Sequence, residues 1–227
     1  MGDGLTVLVF GASGMVGQGV LRECLRDDRV AAVRVVVRTA LDVAHPKLTQ
    51  VVVGDLATPG EHLAGVDATF DSVGVSSTGM REAEYRRLTH DLTVGVARAV
   101  ADASPGSAFV YVSGAGTDRH GRLMWARVKG ETEDAVAALP LRAWSFRPGL
   151  IQPLHGIRTK TRLYGALYAV LRPLFPVLTR VVPGQVTSTE AVGRAFLAAV
   201  TGGGAPGVVT TEGINDLAGE SAGPRRS

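Results

Sequence analysis

Three glycines at regular spacing form the part of this sequence best suited to bind a charged ligand. The run Gly11-Ala-Ser-Gly-Met-Val-Gly17 follows the apolar stretch Leu5–Phe10 and precedes a helix-like stretch. Gly11 lets the chain turn off a strand, Gly14 lets the backbone approach a diphosphate, and Gly17 lets the helix pack on the strand. Free N–H groups at the helix N-terminus then face the phosphate charge. The contacts predicted in this dinucleotide-binding loop are Gly11, Ser13, Gly14, Met15, Val16 and Gly17.

Arg38 ends the next strand-like run, Ala32–Arg38. About twenty residues past the glycine loop, an NAD site usually has an acid that accepts hydrogen bonds from the ribose 2′-hydroxyl. The planar guanidinium of arginine suits the 2′-phosphate of NADP instead, and Ser13 offers a hydroxyl donor. We therefore predict NADP(H) in preference to NAD(H). The alternative is an arginine that only faces solvent.

Four motifs together resemble the short-chain dehydrogenase/reductase superfamily, in particular its atypical, NAD(P)-binding and epimerase-like branch. They are the glycine loop, Val110-Tyr-Val-Ser-Gly-Ala-Gly116, Val128-Lys-Gly130 and Phe146-Arg-Pro-Gly149. The resemblance covers the chain from about Thr6 to Glu190. It implies a Rossmann-type fold with a nicotinamide dinucleotide, and it implies no particular substrate.

The resemblance also implies roles for single residues. Ser113 is expected to hydrogen-bond the reacting oxygen of a substrate, and Lys129 to hold the nicotinamide ribose. The other implied cofactor contacts are Asp55 and Leu56 at the adenine, Val73, Gly74 and Val75 along the groove, and Pro148, Gly149, Leu150 and Ile151 against the nicotinamide.

Trp125 stands where the family has its general acid, a tyrosine four residues before the lysine. An indole N–H donates a hydrogen bond but gives up no proton near neutral pH. The usual serine, tyrosine and lysine proton relay is therefore incomplete. Lys129 keeps a ribose-binding role, or it is a solvated helix residue near Glu133.

His155 is the best candidate for a replacement proton donor. It follows the sixth predicted strand, and the unperturbed pKa of a histidine, about 6.5, suits acid–base chemistry near neutral pH. A loop histidine with no chemical part is the alternative. Tyr164 and Tyr168 share a helical face and could reach a pocket or pack at an interface. The residues predicted to border a substrate are Ser76, Trp125, Tyr164 and Tyr168.

The elements that must position these residues alternate along the chain. Strand-like runs cover about 5–10, 32–38, 48–54, 68–74, 108–113 and 143–147, and helix-like runs cover about 16–27, 82–103, 123–138 and 191–200. Alternation of this kind predicts an α/β, doubly wound, mainly parallel sheet with helices on both faces. Such sheets bind ligands beyond the carboxyl ends of their strands.

The domain organisation predicted from these runs is a single Rossmann domain over residues 1–211. Residues 152–186 are expected to form an inserted cap, substrate or interface segment. Thr187 or Ser188 is expected to cap the following helix, and 208–210 to add a short strand. The tail 212–227, rich in Gly, Ser and charge, is expected to be mobile.

The composition excludes several function classes. The chain has 227 residues with a net charge of +3 and interspersed charges, so it is no nucleic-acid binder by charge. A single cysteine, Cys24, and the lack of a recognisable signal peptide favour a cytoplasmic location. The five histidines are scattered without ligand spacing, so no metal site is predicted.

The stretch Leu163–Val182 is apolar and approaches the length of a membrane span. Two arginines and two prolines interrupt it, which argues against a spanning helix. Three interpretations stay open: a cap over a substrate pocket, a homodimer surface, or a stretch that contacts a membrane surface.

These observations favour an NADP(H)-dependent oxidoreductase that acts on a small carbonyl or conjugated substrate without a tyrosine acid. One alternative is a non-catalytic protein that binds NADP(H) as a structural or redox-sensing ligand. Another is a redox-neutral isomerase or cyclase on the same fold, because pocket shape and not motif would decide the reaction.

Overall fold

The computed structural model describes residues 4–56, 60–157, 174–202 and 204–220. The described strands are β1 Leu5–Phe10, β2 Val30–Val37, β3 Leu48–Val52, β4 Ala68–Asp71, β5 Ala108–Val112, β6 Arg142–Arg147, β7 Leu150–Gln152, β8 Val186–Ser188 and β9 Gly207–Thr210. Seven of them form an all-parallel sheet in the order β3-β2-β1-β4-β5-β6-β9. The predicted doubly wound α/β fold is confirmed. A second, two-stranded parallel sheet pairs β7 with β8 and was not predicted.

Helices cover both faces of the large sheet. The described α-helices are α1 Met15–Arg26, α2 Glu82–Arg86, α3 Leu92–Ala103, α4 Met124–Ala137, α5 Phe175–Val181, α6 Thr189–Val200 and α7 Thr211–Leu217. A π-helical turn, Arg87–Asp91, joins α2 to α3, so the helix predicted over 82–103 contains one wider turn. Ser188 caps α6 as predicted, because its hydroxyl accepts the Ala191 N–H at 2.9 Å.

Alternating side chains of the central strands supply two hydrophobic cores. In β1, Val7 and Val9 face the core shared with α1, α6 and α7, whereas Leu8 and Phe10 face the core shared with α3 and α4. This two-sided burial explains why the strands appear in the sequence as nearly continuous apolar runs. The sheet that results presents the carboxyl ends of β1, β2, β4 and β5 along one edge.

Two predicted boundaries are corrected by the structure. Helix α7 occupies part of the tail predicted to be mobile, because Thr210 caps it at the Gly213 N–H and Ile214 is fully buried. Residues 221–227 lie outside the described part. Strand β4 ends at Asp71 and not at Gly74, since the chain leaves the sheet at Ser72 and turns toward the Gly11 loop.

The apolar stretch 163–182 is described only in its second part. Helix α5 exposes Val177 and Val181, and Leu174 before it is also exposed. Residues 158–173, which include Tyr164 and Tyr168, lie outside the described ranges. Among the helices that are described, none is both long enough and apolar enough to cross a membrane. The homodimer surface stays a prediction.

Candidate functional site

A groove of about 570 Å³ lies at the carboxyl end of the sheet, where β1 and β4 are adjacent. The strand order reverses between these two strands, and ligands of doubly wound sheets bind at such a switch point. The residues that line the groove are Gly11, Ser13, Gly14, Met15, Val16, Val36, Val37, Arg38, Thr39, Leu56, Ser72, Val73, Gly74, Val75, Ser76 and Ser113.

The glycine loop forms one end of this groove. Gly11 has a φ of +76°, in the left-handed region that favours glycine. The Gly14 N–H donates to the Gly11 carbonyl at 2.8 Å, which closes the turn before α1. A Cβ at Gly17 would overlap the Gly11 carbonyl oxygen and lie 2.6 Å from its carbonyl carbon. The loop therefore has the close packing that the glycine spacing predicts.

The groove wall at Val73–Val75 is fixed from two sides. The Ser72 N–H and hydroxyl both donate to the Phe10 carbonyl, at 3.2 Å and 3.0 Å. The Asp71 carboxylate accepts the Val73 N–H at 2.9 Å. The exits of β1 and β4 are thus tied together next to the glycine loop.

Arg38 lies at the rim of the groove, and its side chain is exposed. Among the described residues, its guanidinium has no hydrogen bond or ion pair. Ser13 lines the same groove, and its carbonyl accepts a hydrogen bond from the Gln18 side-chain amide at 3.2 Å.

Ser113 follows β5 and lies 6% exposed on the groove. Its N–H donates to the Phe146 carbonyl at 2.7 Å, which fixes its backbone. Its hydroxyl is 2.9 Å from the Thr117 hydroxyl. The described partner of the Ser113 hydroxyl is therefore the buried hydroxyl of Thr117.

Lys129 lies on α4, half-buried behind Ser113. Its ammonium donates to the Val112 and Ser113 carbonyls at 3.1 Å and 3.2 Å, and lies 3.4 Å from the Tyr111 hydroxyl. The lysine therefore holds together the end of β5 that carries Ser113.

Lys129 and Asp71, both near Ser113, have shifted pKa values. Burial lowers the pKa of Lys129 to about 8, although the charges of Asp71 and Glu133 oppose this shift. Burial raises the pKa of Asp71 to about 6, against the Val73 N–H and the positive charge of Lys129. Both groups titrate closer to neutral pH than they do in water.

Trp125 lies one helical turn before Lys129, at the start of α4. Its ring covers the turn after Ser113, because a Cβ at Gly116 would lie 3.4 Å from the ring and one at Gly114 4.0 Å. The indole packs on this turn, and Trp125 is not among the residues that line the groove.

The predicted role of His155 is not supported by its position. Its Nε2 pairs with Glu190, which also pairs with Arg194 on the same helix. His155 does not line the groove that contains Ser113. The ion pair with α6 accounts for the position of this histidine, and its role as a proton donor stays a prediction.

Comparisons with known proteins show what this chain is similar to. No family model matches it. "Protein fmp52-1, mitochondrial" of Aspergillus oryzae is 33% identical over 153 residues, which cover 63% of this chain and 64% of the relative. The protein of the same name from Aspergillus terreus is 31% identical over 167 residues, which cover 69% of this chain and 70% of the relative.

The chain belongs to the Fmp52 family. It spans slightly less than two thirds, 64%, of the length of the Aspergillus oryzae protein. Both relatives are named as mitochondrial proteins, and these names contradict the cytoplasmic location predicted from the cysteine content and the N-terminus.

Solved structures share the fold of this Fmp52 family member. A short-chain dehydrogenase from Burkholderia cenocepacia in complex with NADP matches with a TM-score of 0.63 and 18% identity, over 96% of this chain and 92% of that chain. The enzyme WbmH of Bordetella bronchiseptica in complex with NAD+ matches with a TM-score of 0.67 and 20% identity. The match covers 91% of this chain and 75% of that chain. The resemblance to the short-chain dehydrogenase/reductase superfamily is confirmed at the level of fold.

In this Fmp52 family member, the structure brings most predicted cofactor residues to one groove. Among the residues that the structure describes, the predicted ones outside this lining are Gly17, Asp55, Lys129, Trp125, His155, Pro148, Gly149, Leu150 and Ile151. Gly17 packs against the Gly11 carbonyl, and the Lys129 ammonium donates to the Ser113 carbonyl, so both contact residues of the lining. The Pro148 carbonyl accepts the Ala115 N–H at 2.9 Å, so the residues from Pro148 onward begin next to the turn after Ser113.

Sequence reasoning missed Asp71 and Ser72. Asp71 and Ser72 lie at the exit of β4, which was predicted to run on to Gly74. A polar pair after a buried apolar run was the signal that could have found them. The contact between Thr117 and Ser113 was not predicted either, because it depends on how the turn after β5 closes.

Proposed function

We propose that this Fmp52 family member is an NADP(H)-dependent oxidoreductase that acts on a small carbonyl or conjugated substrate. The observation that carries the proposal is the single groove that contains the Gly11 loop, Arg38 and Ser113. The residues present fit a dinucleotide, because the closely packed Gly11 loop and the first residues of α1 line the groove. Solved proteins with this fold hold NAD+ or NADP, which supports the same ligand class here.

Each part of the groove has a task in this proposal. The Gly11 loop and the α1 N-terminus hold the diphosphate, and Arg38 with Ser13 holds the 2′-phosphate. Ser113 hydrogen-bonds the substrate oxygen, and Lys129 keeps the end of β5 in place and faces the nicotinamide ribose. A bound nicotinamide dinucleotide supplies or accepts a hydride.

The experiment that tests the function combines binding with turnover. Binding of NADPH and NADH is measured by titration, and oxidation of bound NADPH is then followed with quinones, enones and ketones. Turnover with at least one carbonyl or conjugated class is expected. Tight binding with no turnover across the panel would count against an oxidoreductase, and no binding would count against the cofactor.

Replacement of Arg38 by alanine is expected to weaken NADPH binding about tenfold or more and to leave NADH binding nearly unchanged. A charge-assisted hydrogen bond to a phosphate contributes about 1.5–3 kcal/mol, and only NADPH has the 2′-phosphate. Dissociation constants for both cofactors test this. Arg98→Ala is the matched control, since Arg98 is an exposed arginine on α3 outside the groove lining. An equal loss for both cofactors would show that Arg38 does not read the 2′-phosphate.

A second candidate function is a non-catalytic, redox-sensing protein that binds NADP(H). Two observations favour it: Trp125 replaces the tyrosine acid, and His155 is engaged by Glu190. To test it, thermal stability and oligomeric state are measured for the protein in the presence of NADP+, in the presence of NADPH and in the absence of cofactor. A change of assembly with redox state would favour sensing, whereas identical behaviour in both redox states would disfavour it.

A further inference from the structure

We propose that Asp71 is a positioning residue that holds the Val73–Val75 wall in the shape a dinucleotide needs. This inference rests on the proposed function, because it assigns the wall to a dinucleotide. It concerns a residue outside the predicted motifs, at the exit of β4.

The geometry ties Asp71 to the wall through the backbone. Asp71 is the last residue of β4 and is 1% exposed, and its carboxylate accepts the Val73 N–H at 2.9 Å. Val73 is the first of the three wall residues in the groove lining. Ser72, between them, is held on the Phe10 carbonyl by its N–H and its hydroxyl. The wall therefore begins at a backbone turn whose two ends both have fixed partners.

The surroundings of the Asp71 carboxylate favour a positioning role over simple packing in the core. Burying a carboxyl group is unfavourable unless hydrogen bonds and opposite charge compensate it. Asp71 has both, namely the Val73 N–H and the positive charge of Lys129. Lys129 in turn holds the Ser113 carbonyl. Asp71 and Lys129 thus stabilise the two neighbouring strand exits that border the groove.

The same strand offers a matched control at its other end. Asp67 directly precedes β4, and its carboxylate accepts the Thr6 N–H at 2.7 Å. It makes the same kind of bond to a backbone amide, but it is not part of the groove lining. A loss of function at Asp71 alone therefore separates positioning of the groove from general support of the sheet.

The first measurement is the dissociation constant for NADPH in the full chain. Asp71→Ala removes the acceptor, and we expect binding to weaken about tenfold or more. Asp71→Asn keeps an oxygen acceptor at the same place, and we expect it to remain within about threefold of the wild type. Asp67→Ala is expected to leave the constant within about twofold. Unchanged binding in Asp71→Ala, an equal loss in Asp67→Ala, or no rescue by asparagine would overturn the proposal.

The second measurement is amide hydrogen exchange without any cofactor. The Val73 N–H is expected to exchange about tenfold faster or more in Asp71→Ala, and at nearly the wild-type rate in Asp71→Asn. Unchanged exchange at Val73 in Asp71→Ala would overturn the anchor itself. Failure of the wild type to bind NADPH or NADH would instead remove the proposed function, so the two failures are distinguishable. Should Asp71→Ala not fold, Asp71→Leu is used instead. Leucine fills the space of the aspartate side chain but offers no acceptor to the Val73 N–H, so NADPH binding and Val73 exchange are compared with the wild type in the same way.

Discussion

Replacement of Gly17 by alanine is expected to weaken dinucleotide binding about a hundredfold and to destabilise the fold by about 3 kcal/mol. The added Cβ would overlap the Gly11 carbonyl oxygen, and it would lie 2.6 Å from the Gly11 carbonyl carbon and 2.9 Å from the Ala12 Cα. All three atoms belong to the backbone, so no side chain can rotate away. Relief requires movement of α1 or of the Gly11 turn, and both form the proposed phosphate site.

The measurements for Gly17→Ala are NADPH titration and urea unfolding. Gly95→Ala is the control, because Gly95 lies within α3 and a Cβ there would meet nothing within 4 Å. That substitution is expected to stabilise the protein by up to about 1 kcal/mol, since alanine favours helix over glycine. If Gly17→Ala binds NADPH like the wild type, the assignment of this loop to the diphosphate is wrong.

The parts of the fold and site that the sequence predicted depend on local patterns. The Gly11–Gly17 spacing and the apolar runs of the strands are visible over a few residues, and the structure places them as expected. The alternation of strand-like and helix-like runs predicted the parallel sheet with helices on both faces. Arg38 reached the groove for the same reason, because it directly follows a strand of the sheet.

The parts that were missed depend on contacts between distant residues. His155 pairs with Glu190, 35 positions further along the chain, and nothing near His155 in the sequence announces this partner. The end of β4 depends on the approach of Ser72 to Phe10, which lies 62 positions earlier in the chain. These contacts exist only once the sheet has formed.

The helix α7 is a different case, since a local signal was present. Thr210 precedes Thr211-Glu-Gly-Ile, and a threonine followed by an acid within the first turn is typical of a helix start. The tail was predicted to be mobile because its last residues are rich in Gly and Ser. The burial of Ile214 against the core of α1 and α6 gives the helix its stability.

Replacement of Trp125 by tyrosine is expected to raise NADPH-dependent reduction of saturated ketones about a hundredfold. A positioned general acid contributes about 10²–10⁴ in rate, and this substitution supplies the phenol one helical turn before Lys129. The positive charge of the lysine favours the ionised phenol and so lowers its pKa toward the working range. The acid must be protonated to reduce a ketone, so the rate of the variant is expected to fall as the pH rises through that pKa. Initial rates with ketones from pH 6 to 10 provide the measurement.

Trp125→Phe is the control for this prediction, because it removes the indole in the same way and supplies no hydroxyl. Both variants uncover the turn at Gly116, so a gain caused only by a wider pocket would appear in both. A gain confined to tyrosine, with the pH dependence above, would show that the groove lacks only its acid and that Ser113 and Lys129 are in working positions. Equal rates in the two variants, with NADPH binding intact in both, would place the reacting oxygen away from α4 and would favour the non-catalytic alternative.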